Sequence, residues 1–270
     1  MAGELRYRKD LFKGTAEYYD RFRVPYPAAL LDDLRARVPL DGESRVLDLA
    51  CGTGQIAFAL ASQVGEVVAV DQEPEFVEFG AQKARRLRVG NIRWTAGTAE
   101  EVTLDGKFGL VAVGNAFHRL DRDLVTRRLF QHRDAGGCVA LLWGGSPWRG
   151  ERPWQRALDE MLERWMDEVG ARNRVPPGWE EQLDADPSER VLARTGFAYE
   201  GQFEFSTVER WTVESLTGFV YSTSFLNRVV LGDRVDEFER ELRARLLACS
   251  PDGAFEQDLT FAYQLARRPA

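Results

Sequence analysis

Short hydrophobic runs alternate with amphipathic segments along residues 45–143. The runs predict five strands, at residues 45–50, 66–70, 91–95, 110–113 and 138–143. Helices are predicted to begin at Gln55, Glu75 and Asp121, between strands. Because parallel neighbouring strands need crossover helices, this alternation indicates an α/β fold with a doubly wound, mostly parallel sheet.

The pattern changes on both sides of this region. Before it, residues 11–38 predict two helices separated by Val24-Pro25-Tyr26-Pro27. After it, the pattern predicts helices over 153–169, 188–193 and 213–245, the last broken at 231–233, and strands over 198–208 and 254–266. We therefore expect a single domain over residues 1–270, with a Rossmann-like sheet of seven strands whose last strand is antiparallel. A small helical lid is expected from residues 1–38, 145–185 and 212–248.

The first predicted strand leads into a glycine-rich turn, Asp48-Leu49-Ala50-Cys51-Gly52-Thr53-Gly54-Gln55. Glycine allows positive φ and a close approach of the backbone to a ligand, and the next helix presents free N–H groups there. The turn therefore indicates a nucleotide-type site. Residues 52–57 also match the dinucleotide pattern G-x-G-x-x-A, so the glycines alone allow NAD. The acid at Asp48 favours a cationic ligand.

Residues 46–54 resemble motif I of the class I S-adenosylmethionine-dependent methyltransferases. The resemblance implies S-adenosylmethionine as cofactor. It also implies that Asp71, at the end of the second strand, accepts both ribose hydroxyls, and that Gln72 and residues 97–100 lie near the adenine. Thr98 stands where many relatives have an acid. The cofactor-binding residues that we predict are Tyr19, Arg23, Asp48, Ala50, Cys51, Gly52, Gly54, Gln55, Asp71, Gln72, Thr98, Ala99, Asn115 and Phe117.

Further segments narrow the resemblance. Residues 12–27, 115–121, 136–141 and 212–225 are similar to the small-molecule methyltransferases that include trans-aconitate methyltransferase, although Arg119 replaces the usual tryptophan. Tyr221, Ser222 and Ser224 fall at a similar S-x-S segment, where they either face the acceptor or are explained by helix capping or exposure. The resemblance implies a small organic acceptor.

His118 is the predicted catalytic residue, because a histidine just after a strand end in the ligand crevice can accept a proton from a hydroxyl or amine. The alternative is that it holds the loop or contacts the cofactor. Arg23 is expected to pair with the methionyl carboxylate and Tyr19 to close over the cofactor; ordinary helix packing is the alternative for both. Cys51 is interpreted as a small buried filler. Six tryptophans either form an apolar acceptor pocket or pack in the core: Trp143, Trp148, Trp154, Trp165, Trp179 and Trp211.

Composition limits the partners. The net charge is -7 and the pI about 5.2, which disfavours a nucleic acid acceptor. The three cysteines are widely spaced, which argues against a metal site, and no apolar run is long enough to predict a membrane span. We expect a cytoplasmic protein that is a monomer or a homodimer. The predicted reaction is methyl transfer to an oxygen or nitrogen of a small molecule, within secondary metabolism. An NAD-dependent oxidoreductase, a cyclase or isomerase that binds S-adenosylmethionine, and a non-catalytic homologue remain alternatives.

Overall fold

The computed structural model describes residues 10–174 and 178–269, without the side chains of residues 133–135 and 179. In this part of the chain seven strands form one sheet. The strands are β1 (Arg45–Leu49), β2 (Glu66–Asp71), β3 (Ile92–Ala96), β4 (Phe108–Gly114), β5 (Arg133–Gly144), β6 (Ala198–Thr212) and β7 (Ala254–Arg267).

Helices connect the strands and add a further layer after β5. The α-helices are α1 (Ala16–Phe22), α2 (Ala28–Arg37), α3 (Gln55–Leu60), α4 (Pro74–Leu87), α5 (Arg122–Gln131), α6 (Pro153–Glu168), α7 (Trp179–Ala185), α8 (Ser188–Arg194), α9 (Val213–Tyr221), α10 (Arg228–Leu231) and α11 (Val235–Cys249). Short 3₁₀ turns lie at Ala61–Gln63, Phe117–Arg119, Arg172–Arg174 and Gly232–Arg234.

The strand order is β3-β2-β1-β4-β5-β7-β6. Strand β1 is hydrogen-bonded in parallel to both β2 and β4, with Leu47 opposite Val68 on one side and Val111 on the other. The chain leaves β1 toward β2 and later returns to its other side as β4, which opens a crevice at the carboxyl ends of these strands. Strand β7 is antiparallel to both β5 and β6. The predicted fold, including its reversed last strand, is confirmed.

Both faces of the sheet are covered, which explains why residues 67–70 of β2 form a continuous hydrophobic run. Successive side chains of a strand point to opposite faces. Val46 therefore packs with Leu34 of α2 and Leu60 of α3, whereas Leu47 packs on the other face with Val125 of α5.

Helices α6, α9 and α11, with Trp211 of β6 and Phe255 of β7, form a third hydrophobic cluster, separate from those on the two sheet faces. Trp165 and Phe238 pack edge to face with ring centroids 5.2 Å apart, and Trp154 packs 5.4 Å from Phe255 at the start of β7. We call this group the α6–α9–α11 cluster. Phe219 belongs to it and also faces the crevice.

One predicted helix is wrong. The sequence pattern extends a helix over 213–245 with a break at 231–233, but α9 ends at Tyr221 and a loop follows to Asn227. In the loop, the Ser222 and Thr223 hydroxyls donate to the carbonyls of Phe219 and Val220, 2.5 and 2.7 Å away. Such local bonds compete with continuation of a helix, which hydrophobic spacing does not reveal.

Candidate active site

The carboxyl ends of β1 and β4 carry two non-glycine residues with positive φ, Ala50 (56°) and Asn115 (52°). Such backbone conformations concentrate at functional sites. The Asn115 side chain accepts from the Gly144 N–H at 3.2 Å and donates to the Tyr26 hydroxyl at 3.2 Å. Asn115 therefore ties the ends of β4 and β5 to the segment between α1 and α2 at the mouth of the crevice.

A narrow cleft of about 80 Å³ lies above the ends of β1, β2 and β3. Its wall is aromatic, with the Tyr19 ring 4.9 Å and the Phe12 ring 5.8 Å from that of Phe76. Asp71 and Gln72 line the cleft from the end of β2, with Ala99 nearby. An apolar wall beside a carboxylate suits the flat base and the hydroxyls of a nucleoside.

Asp71 holds the glycine turn in place. Its Oδ2 accepts from the Gly52 N–H at 2.8 Å and its Oδ1 from the Glu73 N–H at 2.9 Å. Burial raises the pKa of Asp71 to about 6. Each carboxylate oxygen has a second lone pair, so the group can still accept from ligand hydroxyls.

Asp48 is buried beside the same turn. Its Oδ2 accepts from the Ala57 N–H of α3 at 2.8 Å, whereas its Oδ1 has no hydrogen-bond partner among the described residues. Burial first, and the charge of Asp71 second, raise the pKa of Asp48 to about 7. A cationic ligand group would supply the missing partner and relieve the repulsion between the two acids.

A larger cavity of about 1090 Å³ adjoins the cleft. Tyr19, Ala50, Asn115 and Arg119 line both spaces, so the two share a wall. Apolar walls come from Trp148, Phe219, Phe225 and Phe261. A cavity of this size is suited to a small molecule beside a nucleotide-type ligand.

The structure brings most of the predicted site residues together. The predicted residues that line the cleft or the cavity are Tyr19, Arg23, Asp48, Ala50, Cys51, Gly52, Gln55, Asp71, Gln72, Ala99, Asn115, Phe117 and His118. Burial raises the pKa of the Cys51 thiol well above its usual value, which fits an inert filler.

Two predicted cofactor residues lie outside these linings. Gly54 has φ 90° at the start of α3, and its Cα faces the ring of Trp94. Thr98 is buried, and its Oγ1 has no hydrogen-bond partner in the described part of the chain. Their direct contact with a cofactor stays a prediction.

His118 lies in the 3₁₀ turn Phe117–Arg119 and lines the larger cavity. Of the six tryptophans, Trp143 and Trp148 also line it. Trp154, Trp165 and Trp211 are instead buried in the α6–α9–α11 cluster. The Trp179 side chain lies outside the described residues. Trp143 and Trp148 are therefore placed where they could form part of an acceptor pocket, whereas Trp154, Trp165 and Trp211 pack in the core.

No role in the site is predicted for Arg119 from the sequence, in which it is only the residue that replaces the usual tryptophan. It is partly buried, lines both the cleft and the cavity, and donates from Nη2 to the Ser224 Oγ at 3.2 Å. The sequence signal that could have identified Arg119 as a site residue is its position directly after His118.

Arg23 donates from Nε to the Ser222 Oγ at 2.8 Å and from Nη2 to the Ser222 carbonyl at 3.1 Å. The two serines of the S-x-S segment thus hold two cavity arginines.

Comparisons with known proteins agree with this geometry. Residues 46–137 match the family model of a methyltransferase domain. The chain is 33% identical over 176 residues to an uncharacterized methyltransferase of Mycobacterium bovis, covering 63% of this chain and 67% of the relative. It is 23% identical over 263 residues to one of Schizosaccharomyces pombe, covering 96% and 97% of the two chains.

Among solved structures, one described as a type II methyltransferase, from Anaeromyxobacter dehalogenans, shares the fold with a TM-score of 0.63 and 21% identity, covering 92% of this chain and all of the other. The chain belongs to the class I S-adenosylmethionine-dependent methyltransferases. It is thus an enzyme whose cofactor is S-adenosylmethionine. Among the described residues, no helix is long and apolar enough to cross a membrane.

The residues present fit this cofactor. The unpartnered Oδ1 of Asp48 suits its ammonium group, the buried Asp71 suits the ribose hydroxyls, and the Tyr19 and Phe76 rings suit the adenine. The unpartnered Asp48 carboxylate oxygen favours a cationic ligand at this turn over NAD, whereas an acid at the end of β2, like Asp71, is compatible with either cofactor.

Proposed function

We propose that the enzyme transfers the methyl group of S-adenosylmethionine to an oxygen or nitrogen atom of a small organic acceptor. The observation that carries the proposal is the cavity of about 1090 Å³ that adjoins the proposed nucleoside cleft and shares lining residues with it. The acidic net charge supports a small-molecule acceptor over a nucleic acid. The arginine-rich composition and the helical insert after β5 fit a pathway of secondary metabolism.

The bound cofactor supplies an electrophilic methyl group on a sulfonium centre. The chain's task is to hold an acceptor lone pair in line with that centre and to exclude water. Helix α1 and the α6–α9–α11 cluster serve as the lid in this proposal, because Arg23, Phe219 and Ser224 line the cavity from these elements and the loop after α9. His118 accepts the proton that the acceptor hydroxyl or amine loses.

The test begins with a panel of small alcohols, phenols, amines and carboxylic acids, with methylated products detected by mass spectrometry. With an accepted substrate, pH–rate profiles of wild type, His118→Ala and His132→Ala are compared. We expect His118→Ala to lower kcat about 100-fold or more and to remove the acid limb of the profile, as for loss of a general base. His132 is the matched control, since it follows α5 and contacts Gly106 rather than the cavity.

Two outcomes would contradict the proposal. If His118→Ala and His132→Ala both retain the wild-type profile, His118 is not the base. If S-adenosylhomocysteine binds but no acceptor of the panel is methylated, while a substrate is rearranged or cyclised, the methyl-transfer assignment falls and the cyclase or isomerase alternative replaces it.

A further inference from the structure

Among the described residues, four arginines line the larger cavity: Arg23, Arg119, Arg149 and Arg172. Arg149 and Arg172 lie at its rim with side chains 61% and 53% exposed, and each forms ion pairs, with Glu180 at 2.9 Å and with Glu163 at 2.6 Å respectively. Their charges are thus already balanced within the protein. The two inner arginines are in a different situation.

Arg23 and Arg119 are partly buried and form no ion pair with a described carboxylate. The Arg23 guanidinium lies 4.9 Å from the Tyr19 ring centroid and 4.7 Å from that of Phe219. That of Arg119 lies 5.6 Å from the Phe12 ring centroid. Burial, and then the charge of Arg23, lower the pKa of Arg119 to about 10. Both groups remain cationic at neutral pH.

Two neighbouring, partly buried cations held by neutral oxygens and rings are unfavourable, because their partial desolvation and mutual repulsion are not offset by a described counter-ion. An anionic ligand would offset both. The cofactor brings one carboxylate, and Arg23 is the residue predicted to take it. The second cation, Arg119, then has no anion from the cofactor.

We propose that Arg119 binds an anionic group of the methyl acceptor, a carboxylate or a phosphate. The proposal rests on the proposed methyl transfer and names the class of acceptor. Arg119 lies at the junction of cleft and cavity, next to His118, so an anion on it would anchor the acceptor beside the proposed base. The apolar walls formed by Trp148, Phe219 and Phe225 would hold the acceptor's hydrocarbon body.

The loop after α9 positions both arginines. Ser222 binds Arg23 and Ser224 binds Arg119, and the Ser224 carbonyl accepts from the Arg174 Nε at 2.6 Å. Ser222 and Ser224 are therefore positioning residues, one for each anion site. This division predicts that each serine affects a different ligand.

The test uses full-length protein saturated with S-adenosylhomocysteine, so that the cofactor's own carboxylate site is filled. Benzoate, phenyl phosphate and neutral benzamide are titrated by calorimetry. We expect benzoate or phenyl phosphate, and not benzamide, to bind, and the better of the two identifies the anion as a carboxylate or a phosphate. Arg119→Gln should weaken binding of the anion at least tenfold, and Arg119→Lys should weaken it less. Arg149→Gln, the control at the rim, should not change it measurably.

Ser224→Ala should weaken binding of the anion and leave binding of S-adenosylhomocysteine unchanged. Ser222→Ala should weaken binding of S-adenosylhomocysteine and leave binding of the anion unchanged. The thermal stability of Arg119→Gln shows whether the variant is folded; Arg119→Lys serves if it is not. Equal anion binding by wild type and Arg119 variants, equal binding of benzamide, or anion binding abolished by S-adenosylhomocysteine would each overturn the proposal. Failure of methyl transfer with intact anion binding would instead remove only the proposed reaction.

Discussion

The Asp48 carboxylate, which we propose receives the ammonium group of the cofactor, opposes folding of the cofactor-free protein when it is ionised. Its folded-state pKa is about 7, against roughly 4 for an exposed aspartate. A raised folded pKa gives stability that is fully present below the unfolded pKa and is lost as pH rises through the folded pKa. The charge on Asp48 therefore destabilises the free protein increasingly between about pH 4 and 7.

Asp48→Asn should consequently stabilise the cofactor-free protein at pH 8 while weakening S-adenosylhomocysteine binding. The stability gain should exceed the gain at pH 5 by on the order of 2 kcal/mol, since each pKa unit is worth about 1.4 kcal/mol. Urea unfolding at the two pH values measures this. The control is Asp236→Asn, an exposed position on α11, which should show little change. A gain independent of pH would contradict the assignment.

For individual residues, the sequence predicts a place in the site when the residue lies near the end of a predicted strand. Asp48, Asp71 and Asn115 follow or end predicted strands, and parallel strands bring their carboxyl ends together, so their meeting could be predicted. The partnership of Arg119 with Ser224 spans 105 positions. It depends on how the loop after α9 folds over the crevice, which no local pattern encodes.

Among the elements, α3 and α4 are fitted around one ring of β3. A Cβ added to Gly54 or to Gly80 would overlap the Trp94 ring, which thus lies between the start of α3 and the middle of α4. The glycine turn was interpreted from sequence as serving the ligand. Gly54 also serves packing, and sequence alone could not separate these roles because both demand the absence of a Cβ.

Gly80→Ala isolates the packing role, because Gly80 lies inside α4 without positive φ. Alanine would favour the helix by about 1 kcal/mol, yet overlap with Trp94 should make the variant less stable by roughly 1–3 kcal/mol. Urea unfolding measures the difference. Gly90→Ala is the control, since a Cβ at Gly90 meets nothing within 4 Å. If Gly80→Ala proves more stable than wild type, the fit of Trp94 against α4 is not tight.

Element order follows from hydrophobic periodicity, and that is why the sheet and most helices could be predicted. The α9 boundary could not, because side-chain hydroxyls of Ser222 and Thr223 redirect the backbone there. That departure from the helix has a functional consequence. A helix continuing through residue 227 would not present Ser222 and Ser224 to the two arginines in the observed way.

In the whole molecule, the site joins segments that are far apart in the chain. The acids come from β1 and β2, the aromatic wall from residues around α1 and α4, and the holding serines from the loop after α9. The acids at the glycine turn and the cations Arg23 and Arg119 thus line the same two adjoining spaces. This polarity matches a zwitterionic amino acid moiety, with ammonium toward Asp48 and carboxylate toward Arg23.

This arrangement links cofactor binding to protonation. Asp48, with a pKa of about 7, and Asp71, with one of about 6, must both be ionised to bind an ammonium group and ribose hydroxyls as acceptors. Affinity for S-adenosylhomocysteine should therefore rise with pH, by about twentyfold between pH 6 and 8, because only about a tenth of Asp48 and half of Asp71 are ionised at pH 6. Calorimetry in two buffers of different ionisation enthalpy should show proton release at pH 7. Asp48→Asn should bind more weakly and lose most of the pH dependence; a wild-type affinity that is the same at pH 6 and 8 would show that Asp48 does not receive the ammonium group.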